Sequence, residues 1–227
     1  MKYKTEPHIH LSEVSPCARL PAHEMIRLYA EAGYHTVFIS DHLHRNCFAR
    51  FGDIPWREKI ARFASGYEAA RAAGGEYGIT VLFSAELTLE RTPGDYLLYG
   101  MDPAFLEARE DLFDLTIGEF YQYAKAHGVT VVRAHPFRES WAEPENGSYM
   151  DAVEVYNGSP RHENHTDRAL AFAGQYHLPM TAGSDAHRRE DVALSGVLTD
   201  TPIKSAEDYV RLLLDGRLSL IADGGVL

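Results

Sequence analysis

The sequence predicts an α/β fold in which about seven strand–helix units close into a barrel. Strand-like runs alternate with helix-like runs along the whole chain, which is typical of a mostly parallel sheet with crossover helices. The length of 227 residues fits one compact domain, and no repeat or linker divides it. Histidine, aspartate and glutamate residues, which commonly bind metal ions, also stand at the ends of five predicted strands. A closed barrel brings such ends to one rim more easily than the rival architecture, a doubly wound open sheet.

The N-terminal half alternates between the two kinds of element. Apolar Met25, Ile26, Leu28 and Tyr29 predict one buried side of the first helix, which Gly33 ends. We expect strands over residues 3–10, 36–40, 79–84 and 95–99, and helices over residues 22–33, 56–73 and 103–112.

The C-terminal half continues the alternation. Gly128 closes one predicted helix, and Ser205 is a suitable N-cap for the last one. We expect helices over residues 117–127, 163–176 and 206–215, strands over residues 129–134, 152–156, 178–182 and 219–222, and an edge strand over residues 192–198.

Charge and composition exclude several classes of protein. The net charge of −11 argues against a nucleic-acid groove, which needs a basic face. The two cysteines, Cys17 and Cys47, do not predict a disulfide framework. Because there is no apolar leader and no apolar run approaches a membrane span, we expect a cytoplasmic protein without membrane contact. The sequence does not define an oligomeric state.

Five short motifs carry the chemistry of the chain. They are His8-Ile9-His10, Asp41-His42, Glu86, His135 and Asp185-Ala186-His187. Residues two apart on a strand share a face, so each of the two spaced pairs presents both side chains to the same side. Imidazoles and carboxylates without cysteine suit Zn²⁺, Mn²⁺ or Fe²⁺, and so many ligands exceed the needs of one ion. We therefore expect two or three divalent ions.

A multinuclear centre of this kind is typical of metal-assisted hydrolysis, in which no amino-acid nucleophile is needed. The sequence contains no G-x-S-x-G motif, Walker loop or G-x-G-x-x-G motif that would indicate another chemistry. Asp185, His187 and Glu86 are the candidate catalytic residues. We expect Asp41 to orient an imidazole rather than to bind an ion.

Together these motifs resemble the PHP family, the polymerase and histidinol phosphatase superfamily, over residues 8–187. The resemblance implies a distorted (β/α)₇ TIM-like barrel, with residues 1–227 forming one PHP-type hydrolase domain. It also implies phosphoester hydrolysis at a di- or trinuclear centre. Its motifs place His8, His10, Glu86 and Asp185 on a first ion, Glu86 and His135 on a second, and His42 and His187 on a third.

Two positions depart from the family pattern. The loop after His10 lacks the His or Asp that many members carry there, and Glu13 is the candidate ligand in its place, with Cys17 as a softer alternative. Asp95 stands where many members carry a His that opens the strand after the Glu. A carboxylate at that place would favour harder ions.

Phosphate recognition needs cationic groups besides the metal ions. Arg138 and Arg188 follow two of the motifs closely, and a guanidinium can contact phosphate oxygens in a bidentate manner. Asn157, at another strand end, is a candidate hydrogen-bonding partner of the substrate. We expect these three residues to bind substrate.

The favoured hypothesis is a metal-dependent phosphoesterase that acts on a small phosphorylated metabolite or nucleotide. An amidohydrolase-like enzyme acting on a non-phosphate substrate is the first alternative. It is weaker because that family often uses a carbamylated lysine, and the five motifs contain no lysine. The second alternative is a catalytically silent metal-binding domain.

Overall fold

The computed structural model describes residues 2–144, 146–223 and 225–227, and it shows a mixed α/β fold. The strands are β1 (Tyr3–Ile9), β2 (Tyr34–Ile39), β3 (His42–Leu43), β4 (Thr80–Phe83), β5 (Ala85–Leu89), β6 (Thr92–Tyr99), β7 (Thr130–Arg133), β8 (Ala152–Asn157), β9 (Met180–Gly183), β10 (Gly196–Thr199), β11 (Ser219–Ala222) and β12 (Gly225–Val226). The helices are α1 (Ala22–Glu31), α2 (Arg45–Ala49), α3 (Trp56–Tyr77), α4 (Pro103–Glu107), α5 (Ile117–Ala126), α6 (Thr166–Tyr176) and α7 (Ala206–Leu214).

The strands form two six-stranded sheets, in the orders β12-β11-β10-β1-β2-β4 and β3-β5-β6-β7-β8-β9. One parallel bridge, between Ile9 and Ala186, joins the end of β1 to the segment after β9. On the other side, the chain passes directly from β2 to β3 and from β4 to β5. The strand pairing within the described residues therefore does not confirm the closed (β/α)₇ barrel.

The expectation of a mostly parallel sheet was wrong in two regions. β5 and β6 pair in antiparallel fashion because only two residues connect them, and so short a connection cannot cross over. β10 runs antiparallel to both β1 and β11. Because β10 has a partner on each side, it is an inner strand and not the edge strand expected over residues 192–198.

Local sequence explains the main helices. In α1, the buried residues Ala22, Met25, Ile26 and Tyr29 lie on one face and pack against β1 and β2. α3 ends at Gly78, whose φ of +68° suits glycine in the left-handed region. The predicted helix over residues 103–112 is shorter: α4 ends at Glu107, and a separate 3₁₀ turn follows at Leu112–Asp114.

The inner face of β1 is polar, although it is fully buried. Glu6, His8 and His10 lie two residues apart and have no exposed surface, while Ile9 between them packs into an apolar cluster with α1. Such buried polar groups require partners. The fold therefore gathers partners for them at this end of the two sheets.

None of the helices in the described ranges is long and apolar enough to cross a membrane. The cytoplasmic location stays a prediction.

Candidate metal centre

Seven of the side chains expected to bind metal converge where the strands end. His8 and His10 lie at the end of β1, and His42 opens β3 just after β2. The other four follow or belong to later strands: Glu86 lies in β5, His135 follows β7, and Asp185 and His187 follow β9. Most of them are buried, whereas His42 and His187 are partly exposed on the open side.

The ligand atoms of these residues form three overlapping groups, in each of which all atoms lie within 4.8 Å of one another. The groups are His8, His10 and Asp185; His8, Glu86 and His135; and His10, His42 and His187. His8 belongs to the first two groups, and His10 belongs to the first and third. The three groups therefore form one continuous centre.

The first group brings two imidazole nitrogens and one carboxylate oxygen within 3.4 Å of one another. The Nε2 atoms of His8 and His10 are 3.1 Å apart, and Asp185 Oδ1 lies 3.4 and 3.1 Å from them. Asp185 Oδ1 is buried and accepts no well-formed hydrogen bond from any described residue. A buried oxygen of this kind needs a compensating partner. A divalent ion fits this donor set.

Glu86 connects the groups through its two oxygens. Oε1 lies 2.8 Å from His135 Nε2 and 3.4 Å from His8 Nε2. Oε2 lies 2.8 Å from His42 Nδ1 and 3.5 Å from His10 Nε2. Each oxygen thus faces two imidazoles, which is the placement that a bridging carboxylate would need.

Hydrogen bonds fix the orientation of His187. Its Nδ1 lies 2.9 Å from the carbonyl oxygen of Asp185, which can only accept, so Nδ1 donates. Its Nε2 therefore carries a lone pair, and it lies 3.4 Å from Nε2 of His42. This is the tautomer that could bind an ion on the open side of the centre.

The electrostatics of the centre follow from burial and crowding. The pKa of His8 lies well above its ordinary value because three surrounding carboxylates outweigh burial, which alone would lower it. Burial and the two neighbouring imidazoles hold the pKa of His10 well below its ordinary value. Burial would raise the pKa of Glu86 and Asp185. The charge of His8 and the close approach of other imidazoles keep both pKa values well below the ordinary range, and Arg138 adds to this effect at Asp185.

Two residues of the centre have unusual backbone conformations. His135 has a φ of +24° and Asp185 a φ of +50°, in the region that favours glycine. Non-glycine residues there carry conformational strain, which is typical of functional sites. The strain indicates that the surrounding structure holds these two side chains in place.

A glycine makes room for the centre. A Cβ atom on Gly183, the last residue of β9, would lie 2.6 Å from the Cβ of His8 and 2.8 Å from Oε1 of Glu154. Both distances are shorter than van der Waals contact. The approach of β9 to His8 therefore requires glycine at position 183.

The structure does not bring Glu13 or Asp95 into the three groups. Glu13 is exposed, and its Oε1 accepts the backbone N–H of Ala22 at the start of α1, so it acts as a helix cap. The Asp95 carboxylate accepts a hydrogen bond from Thr88 across the β5–β6 hairpin. In both cases a local hydrogen bond accounts for the acid, and metal binding by either residue stays a prediction.

Asp41 contacts the loop that surrounds the centre. Its Oδ1 accepts hydrogen bonds from the backbone of Leu11, at 2.8 Å, and from the hydroxyl of Ser15, at 2.6 Å. Ser15 Oγ in turn accepts the backbone N–H of His42 and lies 3.5 Å from Nδ1 of His10. Asp41 thus reaches His10 only through Ser15. Burial raises the pKa of Asp41 to about 7.

The three residues expected to bind substrate have different surroundings. Arg138 donates from Nη1 to Asp185 Oδ2 at 2.8 Å and from Nε to Asn164, while its buried Nη2 has no partner among the described residues. Asn157 is buried and donates to Glu154. Arg188 is partly exposed, and the Glu190 carboxylate lies 4.0 Å from it. The structure therefore places Arg138 and Asn157 at the centre and Arg188 outside it.

Two residues at the centre, Glu154 and Cys17, were not among the main candidates predicted from the sequence. Glu154 Oε1 lies 2.8 Å from His8 Nδ1. The sequence indicates a functional role for Glu154 only in that it is an acidic residue between two valines of a buried strand. Cys17 lies against His42 and His187; burial would raise the pKa of its thiol, but hydrogen bonds with these two imidazoles lower it to about 6.

Comparison with known protein families gives a match over part of the chain. A family model described as "PHP-associated" matches residues 163–218. A search of curated proteins returned no significant match.

Three solved structures have similar folds. The first is a two-domain protein from Bacteroides vulgatus that contains a predicted PHP-like metal-dependent phosphoesterase; the TM-score is 0.69 at 14% identity, and the match covers 100% of this chain and 66% of that one. The second comes from Bifidobacterium adolescentis and is assigned provisionally as a metal-dependent phosphoesterase (TM-score 0.58, 17% identity, coverage 94% and 96%). The third is an amidohydrolase from Chromobacterium violaceum with bound sulfate (TM-score 0.54, 18% identity, coverage 97% and 99%).

Proposed function

We propose that this chain is a metal-dependent phosphoesterase of the PHP superfamily that hydrolyses a small phosphorylated metabolite or nucleotide. Residues 1–227 would form one hydrolase domain. The observation that carries the proposal is the set of three overlapping groups of buried nitrogen and oxygen donors around His8 and His10. Two solved proteins of similar fold bear phosphoesterase assignments, which supports the same reaction class.

The overlapping donor groups would together hold two or three divalent ions of zinc, manganese or iron, with each imidazole nitrogen bound to one ion at a time. This distribution differs in three respects from the one implied by the family resemblance. Glu86 is not in the group of His8, His10 and Asp185, His8 also lies with Glu86 and His135, and His10 also lies with His42 and His187. Divalent ions bound there would polarise a phosphoryl oxygen and lower the pKa of water. Asp185, His187 and Glu86 would act in catalysis by holding those ions against the reacting group.

Arg138 would contact the phosphoryl group. Its Nη1 is held by Asp185 and its Nε by Asn164, which fixes the plane of the guanidinium. The remaining nitrogen, Nη2, is buried without a partner among the described residues and could donate to a phosphate oxygen. Arg188 would contribute at most through its charge at the rim.

A neighbouring cavity of about 580 Å³ would receive the rest of the substrate. Its lining includes Asn157, Ser159, His162 and Asn164, and Asn164 links it to Arg138. Ser159 Oγ is buried there without a partner in the described part of the chain. The lining is therefore suited to a polar leaving group.

Phosphate release from a panel of phosphate esters tests the proposal, with protein loaded in turn with zinc, manganese and iron. His10→Ala and Asp185→Asn should abolish the activity. His23→Ala is the matched control, because His23 is an exposed histidine that contacts Glu76 and lies outside the three groups. Absence of phosphate release with every metal would contradict the proposal.

The amidohydrolase-like alternative has support of its own in the similar fold of the Chromobacterium violaceum amidohydrolase. Hydrolysis of amides or lactones, with none of phosphate esters, would favour it. Metal binding without turnover of either class would instead indicate a catalytically silent metal-binding domain.

A further inference from the structure

Glu154 contacts several parts of the centre at once, although it belongs to none of the three donor groups. It lies in the middle of β8 and is fully buried. Its Oε1 lies 2.8 Å from Nδ1 of His8. Its Oε2 accepts the backbone N–H of His135 at 3.1 Å and the side-chain N–H of Asn157 at 2.9 Å. One carboxylate thus holds two members of the centre and one residue of the neighbouring cavity.

The contact with His8 determines which ring nitrogen is available. A carboxylate can only accept, so Nδ1 of His8 must donate its hydrogen to Glu154. In the neutral ring, which is the form that binds a metal ion, the lone pair then lies on Nε2, and Nε2 faces His10, Glu86 and Asp185. A carboxylate behind an imidazole ligand is known to orient the ring and to raise its basicity.

The contact with His135 acts on the backbone. His135 has a φ of +24°, a conformation that costs free energy and needs support from its surroundings. The hydrogen bond from its N–H to Glu154 supplies part of that support. This conformation aims the ring of His135 at Glu86, 2.8 Å away.

We infer that Glu154 is a positioning residue that prepares His8 and His135 together for metal binding. This inference rests on the proposed metal centre, but not on the phosphoesterase reaction. Nε2 of His8 can bind only one ion at a time, but Glu154 also holds His135, which lies with Glu86 in the second group. Glu154 should therefore control the binding of two ions, one at His8 and one at His135. The third group contains His10, His42 and His187, which Glu154 does not contact, and should bind its ion independently.

Glu154→Gln is the sharpest test because it preserves size while removing an acceptor. If the amide nitrogen faces His8, Nδ1 must accept and the hydrogen moves to Nε2, the atom that should face the ion. If the amide nitrogen faces the other side, it meets the N–H donors of His135 and Asn157. Either orientation weakens the two groups that contain His8.

Glu6→Gln is the matched control. Glu6 is an equally buried carboxylate next to the centre, but its partners are the backbone N–H groups of His8 and Ser184 and the hydroxyl of Tyr29. An amide oxygen can accept from both backbone groups, and the Tyr29 hydroxyl can rotate to accept from the amide nitrogen.

The measurement is the zinc content of each folded protein after dialysis against a series of zinc buffers. Glu154→Gln should lose affinity by about 10- to 100-fold at two sites and retain one ion at wild-type affinity. Glu6→Gln should bind as the wild type does. In zinc-loaded protein, the Nδ1–H proton signal of His8 should also be present in Glu6→Gln and absent or shifted in Glu154→Gln. Should Glu154→Gln fail to fold, Glu154→Asp retains the charge, withdraws the carboxylate from His8, and should show the same selective loss to a smaller degree.

Equal zinc binding by Glu154→Gln and wild type would overturn the inference, and so would a uniform loss at every site. A wild-type protein that binds no zinc would overturn the metal centre itself and this inference with it. A wild-type protein that binds zinc but releases no phosphate, combined with selective loss in Glu154→Gln, would support the inference and refute only the proposed reaction.

Discussion

Replacement of Gly183 by alanine should destabilise the protein and weaken metal binding at the same time. The added methyl group would lie 2.6 Å from the Cβ of His8, 2.8 Å from Oε1 of Glu154 and 3.3 Å from Oε1 of Glu6. Carbon atoms in contact normally lie about 3.5–4.0 Å apart. The Cβ of His8 belongs to strand β1, which is paired on both sides, so it can move only with the backbone.

The expected magnitude follows from the displacement. Relief of the contact requires β1 and β9 to separate by roughly 1 Å, and overpacking of this kind costs about 1–3 kcal/mol. For a protein of this size each kcal/mol lowers Tm by about 2–4 °C, so the expected decrease is about 2–12 °C. The same movement draws His8 and His10 together away from Asp185, which follows β9, so the zinc affinity should fall as well.

Thermal unfolding and zinc content measure both effects on one preparation. Gly174→Ala in α6 is the matched control, because a Cβ there meets no atom within 4 Å. Alanine is a better helix former than glycine by about 1 kcal/mol, so this variant should be at least as stable as the wild type. If Gly183→Ala keeps the wild-type Tm and zinc content, the close approach of β9 to the centre is not as we describe.

Three further predictions address the ions, the substrate and the scaffold. Removal of bound metal by a chelator should lower the free energy of unfolding, by about 2.7 kcal/mol for each ion present at 100 times its Kd, and calorimetry with and without added zinc measures this loss. Arg138→Ala should lower kcat/KM on the best phosphate ester by roughly 10- to 100-fold, since a hydrogen bond to a charged group is worth about 1.5–3 kcal/mol. Replacement of Arg188 by alanine, the control, should change kcat/KM by less than about threefold. Equal effects of the two substitutions would refute the assignment of Arg138. Thr116→Ala removes the capping box that Thr116 forms with Glu119 at the start of α5, and it should cost about 1 kcal/mol of stability in denaturant titrations while leaving the zinc content unchanged.

Much of the centre could be predicted from the sequence because strand geometry is regular. Residues two apart on a strand share a face, so His8 and His10 had to point the same way wherever β1 lay. The end of a buried strand also fixes where the next residues emerge, which explains why His42 and His135 lie near them. These inferences required only local rules.

The sheet topology could not be predicted in the same way. The run over residues 85–89 has no helix before it, and the two-residue connection to β6 makes the pair antiparallel. The pairing of β10 with β1 joins residues almost 200 positions apart, and no local pattern specifies it. Strand order depends on such long-range contacts, which the alternation of strands and helices does not reveal.

The roles of single acids were equally hard to predict. Glu13 stands in the loop after His10, as a ligand would, but the unsatisfied N–H of Ala22 at the start of α1 is its partner. Glu154 stands in mid-strand, away from every motif, and yet it contacts His8 and His135. In both cases the deciding fact is which donor lies within hydrogen-bonding distance, and this depends on the tertiary structure.

Anomalous diffraction at the zinc edge, from crystals of zinc-loaded protein, is the most direct test of the metal centre. We predict two or three peaks, each about 2.0–2.2 Å from ligand atoms of the three donor groups. Peaks confined to surface histidines such as His23, with none at His8, His10 or Asp185, would contradict the account.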